Sequence, residues 1–192
     1  MPWEKQFDRR RALERAMALF WKQGYEATSV QDLVSELGVN RGSLYATFGD
    51  KRSLFIEALR LYDDEYRLAF TRRLSSGNPG RNAIVDAFQQ VVVSARGGSR
   101  EGCFLVNTAL ELSPHDDEIG GIVSRALGQV ERFFAEMIEV GKAEGEIPSR
   151  VPTADTSRAL LSLFVGLRAL SRTRPRGFAL SSIVRQAEAM LA

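Results

Sequence analysis

The chain carries one cysteine and one histidine in 192 residues. A single thiol excludes an internal disulfide and suits a reducing compartment, so a cytoplasmic protein is expected. Cys103 and His115 alone cannot build a zinc cluster of the usual spacing, and no metal or other cofactor is expected. Long apolar runs are also missing. The most apolar stretch, Ala159 to Leu167, falls far short of the ~20 residues a helix needs to cross a bilayer. The polar N-terminus lacks the apolar segment of a secretory signal. No stretch alternates in the manner of a strand.

Signatures of catalysis are equally scarce. The glycines at 77, 80, 97, 98 and 102 fit neither a phosphate-binding loop nor a dinucleotide fingerprint. His115 has no nucleophile-elbow serine around it. Asp116-Asp117 reads as the acidic start of a helix that matches its macrodipole. Glu111 and His115, four apart, are the one acid/base pairing on offer, and an enzyme is not expected.

What is present is a helical grammar in residues 24–54. Thr28-Ser29-Val30-Gln31 has the form of a capping box. Val30, Leu33, Val34 and Leu37 then give a helix one apolar face. Gly38 can end that helix in the left-handed conformation, Val39 can plug the corner, and Asn40 can cap the next helix. That helix keeps Leu44 and Phe48 for the core and shows Arg41, Ser43, Tyr45 and Thr47 on its other face. Gly49-Asp50 stops it, and Asp50 caps a following helix. An earlier helix, roughly Phe7 to Gln23, offers Leu13, Ala16, Met17 and Phe20 as its buried stripe. Two short helices around a Gly turn, backed by a third, form a helix-turn-helix, whose second helix can enter the DNA major groove. Arg, Asn, Ser, Thr and Tyr on the free face are side chains that reach phosphates and base edges. The same pattern also suits a corner of an ordinary helical bundle, or a surface that docks another protein.

Phe20, Gly24-Tyr25, Thr28-Ser29-Val30, Leu37-Gly38-Val39, Gly42-Ser43-Leu44-Tyr45, Phe48, Lys51 and Leu54-Phe55 resemble the N-terminal domain of the TetR family of bacterial transcriptional regulators. Gly102 to Asn107 resembles a stretch of one branch of their C-terminal domains. The resemblance implies an all-α homodimer that reads a palindromic operator in double-stranded DNA through its N-terminal domains and binds a small-molecule effector in its C-terminal ones. The chain has Ala46-Thr47 where many relatives carry aromatic or histidine residues, so base contact is assigned to Arg41 and Tyr45, with Thr28, Lys51 and the Tyr45 hydroxyl on phosphates. Thr28, Ser29, Asn40, Arg41, Gly42, Ser43, Tyr45, Thr47 and Lys51 form the expected DNA-binding set. Residues 1–50 would be the DNA-binding domain and 51–192 the effector-binding and dimerisation domain.

Charge adds little. The net charge is +2, and the first 60 residues hold the excess, ten Lys/Arg against eight Asp/Glu. Arg9-Arg10-Arg11 is the densest basic run, either a solvated arm or a phosphate contact. Beyond residue 50, breakers delimit further helices: a long one from near Asp50 to Ser75, then Arg81–Ala95, Glu101–Leu112, Asp117–Ala143, Thr153–Ser171 and Ala179–Leu191, about nine in all. Aromatic and apolar residues of the middle helices suggest an effector chamber, with Tyr62, Tyr66, Phe88, Val92, Cys103, Phe104, Asn107, Glu111 and Phe134 as its candidates. The 153–171 helix is apolar almost all round and must bury a second face. Leu160, Phe164 and Leu167, with Ile183, Val184 and Ala187 of the last helix, are the expected two-fold interface. Two other readings stay open: a helical small-molecule-binding or catalytic protein with a vestigial module, and a thiol-based sensor through Cys103, whose position near a helix start and Arg100 favours thiolate.

Overall fold

The computed structural model describes residues 8–98, 100–173 and 177–192, without the side chains of 177–179. Phe7, expected to open the first helix, and the loop residues Ser99 and 174–176 lie outside them. Among the described residues all regular secondary structure is helical.

Helix α1 (Arg9–Gln23) starts at Asp8, whose carboxylate accepts the Arg11 N–H, and stops at Gly24, whose φ of 91° few other residues adopt. Helix α2 (Val30–Leu37) is capped one residue later than expected. Ser29 accepts the Asp32 N–H and the Asp32 carboxylate returns to the Ser29 N–H, a capping box built on Ser29 and Asp32 rather than on Thr28 and Gln31. Thr28 is unavailable because its buried hydroxyl donates to the Gly24 carbonyl at 2.6 Å. Gly38 takes the left-handed conformation, and Val39 packs on the core in the corner it opens. Helix α3 (Arg41–Phe48) is capped by Asn40, which accepts the Ser43 N–H at 2.8 Å. It buries Leu44 and Phe48 and nothing else.

Asp50 caps α4 (Lys51–Tyr62), which passes through a π-helical turn (Asp63–Arg67) into α5 (Leu68–Gly77). The three form the one long helix expected here, with a widened turn at its centre. Inside that turn Arg67 is buried, paired with Asp63 and hydrogen-bonded to Gln129. Helices α6 (Arg81–Arg96), α7 (Phe104–Glu111), α8 (Asp117–Ala143), α9 (Thr153–Ser171) and α10 (Gly177–Ala189) complete the fold. With α4, the π turn and α5 counted as one rod, nine rods are described.

Two hydrophobic cores divide the interior. The first joins α1–α4 to Phe104, Leu105 and Leu112 around α7 and to Ile119, Ile122, Val123 and Ala126 in the first half of α8. The second holds Leu74, α6, the rest of α8, α9 and α10. The helix-turn-helix is thus not a separate ball on a tether. An aromatic line runs through the first core: Phe20 to Phe55 at 5.0 Å, Phe55 to Phe104 at 5.3 Å and Phe104 to Tyr62 at 5.6 Å, all edge to face. Such pairs contribute about 0.5–1.5 kcal/mol each beyond area burial.

Helix α9 buries most of its apolar circumference within its own subunit, leaving Leu170 exposed and Leu161 and Leu163 half-buried. Leu160, Phe164 and Leu167 are buried there, as are Val184 and Ala187 of α10, while Ile183 is half-buried. Five of the six residues expected at a subunit interface therefore face the interior. Packing against α8, α6 and α10 consumes more of the helix surface than its sequence pattern discloses.

Candidate nucleic-acid interface and ligand cavity

Helix α3 is short because Asn40 and Gly49 bracket it, and exposed because Leu44 and Phe48 are its sole buried anchors. Arg41 and Tyr45 lie four apart on the outer face. The guanidinium sits 5.4 Å from the Tyr45 ring centroid, and its Nη2 donates to the Tyr45 hydroxyl at 3.2 Å. Each restrains the other with no acidic partner among the described residues, so the pair presents a positive charge and a phenol together. Gly42 and Asn40 are exposed beside them, and Ser43, Tyr45 and Thr47 are partly exposed.

The flanks are mixed. Ser29 is exposed, with its hydroxyl engaged by Asp32. Lys51 holds its Nζ 4.2 Å from the Tyr25 ring centroid, a cation–π contact at the start of α4. Thr28, expected on a phosphate, has 0% exposure and its hydroxyl is committed to Gly24. It positions the turn and touches no outside partner. Of the basic run, Arg9 pairs with Glu57 at 2.6 Å and Arg10 with Glu14 and Glu65, so two of its three charges are met by carboxylates. Arg11 has no such partner among the described residues.

Behind the helix-turn-helix lies a cavity of about 190 Å³. Of the nine candidates for an effector chamber, Tyr62, Tyr66, Cys103 and Phe134 line it, together with Phe70, Phe133, Phe164 and Val165. Phe88 and Val92 are core residues outside the lining, and Phe104 belongs to the aromatic line. Asn107 is buried with its amide donating to the Glu101 carbonyl at 2.8 Å, so it orients a loop rather than a ligand. Glu111 reaches the other way: its carboxylate accepts the N–H groups of Tyr25 and Glu26 at 3.2 and 2.9 Å. Trp21, Arg67 and Arg168 are lining residues that sequence inspection missed. Arg168 did leave a trace, as a cation on an otherwise apolar helix. Trp21 left a weaker one, an aromatic off the buried stripe of α1. Burial pushes the Tyr62 phenol well above its usual range, and its hydroxyl lies 3.6 Å from the Cys103 sulfur.

The family model for bacterial regulatory proteins of the tetR family matches residues 12–58, and one for the tetracyclin repressor-like C-terminal domain matches residues 81–186, more than half the chain. The chain belongs to the TetR family. It is 36% identical over 170 residues to the HTH-type transcriptional regulator YezE of Bacillus subtilis strain 168, covering 88% of this chain and 86% of that one. To the HTH-type transcriptional repressor ComR of Escherichia coli K12 it is 31% identical over 170 residues, covering 88% and 81%. Among solved structures, a cysteine mutant of the TetR-family regulator CifR complexed with 26-bp double-strand operator DNA matches with a TM-score of 0.83 at 28% identity, covering 98% of each chain. Reduced E. coli NemR shares the fold, with a TM-score of 0.85 at 19% identity over 96% of each chain.

As a TetR-family protein, the chain is a DNA-binding transcriptional regulator, and several contacts tie its first four helices to the helices behind them. Trp21 belongs to α1 and to the cavity wall, edge-on to Tyr62 at 4.9 Å and to Tyr66 at 5.6 Å. Glu111 ties the end of α7 to the turn before α2. Arg52, in the first turn of α4, makes a two-point ion pair with Asp116 at 2.6 and 2.9 Å and a third contact with Glu118. That pairing, with the Glu118 and Ile119 N–H groups, draws the Asp116 carboxyl down to about 2. No helix among the described residues is long and apolar enough to cross a membrane, and none of their His, Cys, Asp and Glu side chains cluster in a group that could hold a metal ion.

Proposed function

We propose that the protein is a dimeric repressor that releases a palindromic operator when a small molecule fills the cavity. The observation that carries this is Trp21, which makes one helix both a wall of the cavity and a support of the helix-turn-helix. Arg41 and Tyr45 of α3 are the base-proximal contacts, with Gly42, Ser43 and Thr47 beside them and Ser29 and Lys51 on the flanking phosphates. Residues 1–50 contact DNA; residues 51–192 bind effector and dimerise, with α4 and α7 as the joint. A ligand that displaces Trp21, Tyr62 or Tyr66 moves α1 and α4 together and changes the separation of the paired α3 helices. Two helices held ~34–36 Å apart read successive major grooves, so a small tilt is enough to break register. Linkage then requires that operator weaken effector binding by the same factor. The protein performs no catalysis in this scheme and acts in the cytoplasm. Electrophoretic mobility shift with the DNA upstream of its own gene is the test: a retarded complex that dissolves on adding effector supports repression, and no complex in low salt contradicts it.

Cys103 supports a second reading. Its thiol is partly exposed, lines the same cavity and is met by the Tyr62 hydroxyl, so an electrophile that enters the cavity meets a nucleophile there. Treating wild type and Cys103→Ser with an alkylating agent and measuring operator affinity decides it. Equal loss in both dismisses the thiol.

A further inference from the structure

The charges around the cavity narrow what can fill it; this inference rests on the effector-site reading above. Two lining side chains are cationic. Arg67 is neutralised by Asp63 and satisfied further by Gln129. Arg168 is not. Its guanidinium carbon stands 5.4 Å from the Phe70 ring centroid and 5.0 Å from that of Phe164. Its Nε–H is buried with no acceptor, and no carboxylate among the described residues pairs with it. The Trp21 indole N–H is buried without an acceptor as well. Arg168 as a whole is half-buried, but a cationic N–H buried without an acceptor or counter-charge is costly. Two aromatic faces return part of that cost, but they leave the N–H unmet. The remaining lining is dominated by Tyr62, Tyr66, Phe133, Phe134 and Leu127.

A lone cation and two unmet donors in an aromatic cavity call for an anion on a flat apolar body. A carboxylate suits a guanidinium best, since two parallel N–H···O bonds match its fork. Size sets the rest. A cavity of about 150 Å³ accommodates benzene, so about 190 Å³ takes one ring with a short acid arm. We propose that the effector is a monocyclic aromatic carboxylate, its ring among the cavity aromatics and its carboxylate on Arg168, with the Trp21 indole N–H as a second donor.

Benzoate and its neutral isostere benzamide test this by isothermal titration calorimetry on the full chain. Wild type should bind benzoate at least tenfold more tightly than benzamide. Arg168→Gln should erase that preference, Arg168→Lys should keep part of it, and Trp21→Phe should weaken benzoate roughly two- to tenfold, the worth of one hydrogen bond. Equal affinity for both compounds in wild type, no benzoate binding at all, or an undiminished preference in Arg168→Gln overturns the proposal. Operator binding without compound, measured on the same samples, shows that each variant is folded and reads the repressor hypothesis separately. Intact operator binding with no carboxylate preference removes the ligand class alone, whereas carboxylate preference with no operator binding removes the repressor reading alone.

Discussion

In the proposed scheme Arg41 is the residue on which DNA contact turns. It is exposed, unopposed by any carboxylate among the described residues, and braced by Tyr45 on a helix with two anchors. Arg41→Ala should weaken operator binding by about 1–3 kcal/mol while leaving the circular dichroism and melting temperature of the free protein unchanged. Asp116→Asn tests a different residue-level claim. Asparagine can still cap α8, so the substitution removes the charge and one of the two acceptors that face Arg52 and leaves the cap. The Asp116 carboxyl is lowered from 3.8 to about 2, so its contribution is complete above pH 3.8 and disappears as pH falls through about 2. Urea melts should show the variant less stable than wild type at neutral pH and the two converging near pH 2. At this scale the sequence disclosed residue types better than residue jobs. Thr28 and Ser29 are both hydroxyls before Val30, and only the Gly24 carbonyl, brought near by the fold, decides which one caps. Glu111 looked like a ligand-orienting group because it sits among apolar neighbours, yet its carboxylate crosses to a turn 85 residues away in sequence, a distance no local pattern encodes.

Helices were legible where their ends are chemically marked. Asn40, Asp50 and Gly38 cap or stop the helices that their side chains and conformations predict, and α8 and α9 span the residues that the breakers delimit. The π turn at Asp63–Arg67 was invisible because its residues are ordinary helix formers. Arg67 within it meets both Asp63 and Gln129 beside the cavity, and such turns recur at functional sites. Helix α9 misled for a related reason: an all-round apolar helix shows that it is enclosed, not by what. Its exposed remnant is Leu170, at 46%, with Leu161 and Leu163 half-buried. A two-fold interface through α9 and α10 would use these and Ile183 rather than Leu160, Phe164 and Leu167. Helix α8 yields a paired stability prediction. At Gly141 an added Cβ would lie 2.7 Å from Ile147 Cδ1 and 3.2 Å from the Arg81 backbone nitrogen, whereas at Gly128 it would meet nothing within 4 Å. Gly141→Ala should cost about 1–3 kcal/mol through overpacking. Gly128→Ala should stabilise by up to about 1 kcal/mol through helix propensity. Urea denaturation of the two variants measures both signs.

For the molecule as a whole, a net charge of +2 is too small to hold DNA by itself, so the proposed scheme draws affinity from the local placement of Arg41, Lys51 and their neighbours in two copies. Operator affinity should still fall steeply with ionic strength, because each phosphate contact releases counterions. The shared first core explains how a ligand can be felt at the DNA, since α1 and α4 cannot move without Phe20, Phe55 and Phe104 repacking. Everything depends on α3 being presented twice, in one orientation, to one face of a duplex. Selection of bound sequences from a pool of random duplexes measures this most directly. The account predicts enrichment of a palindrome whose half-site centres lie about 10–10.5 bp apart, or a multiple of that, with Arg41→Ala failing to enrich it. Enrichment of a single, asymmetric half-site, or of nothing, would contradict it.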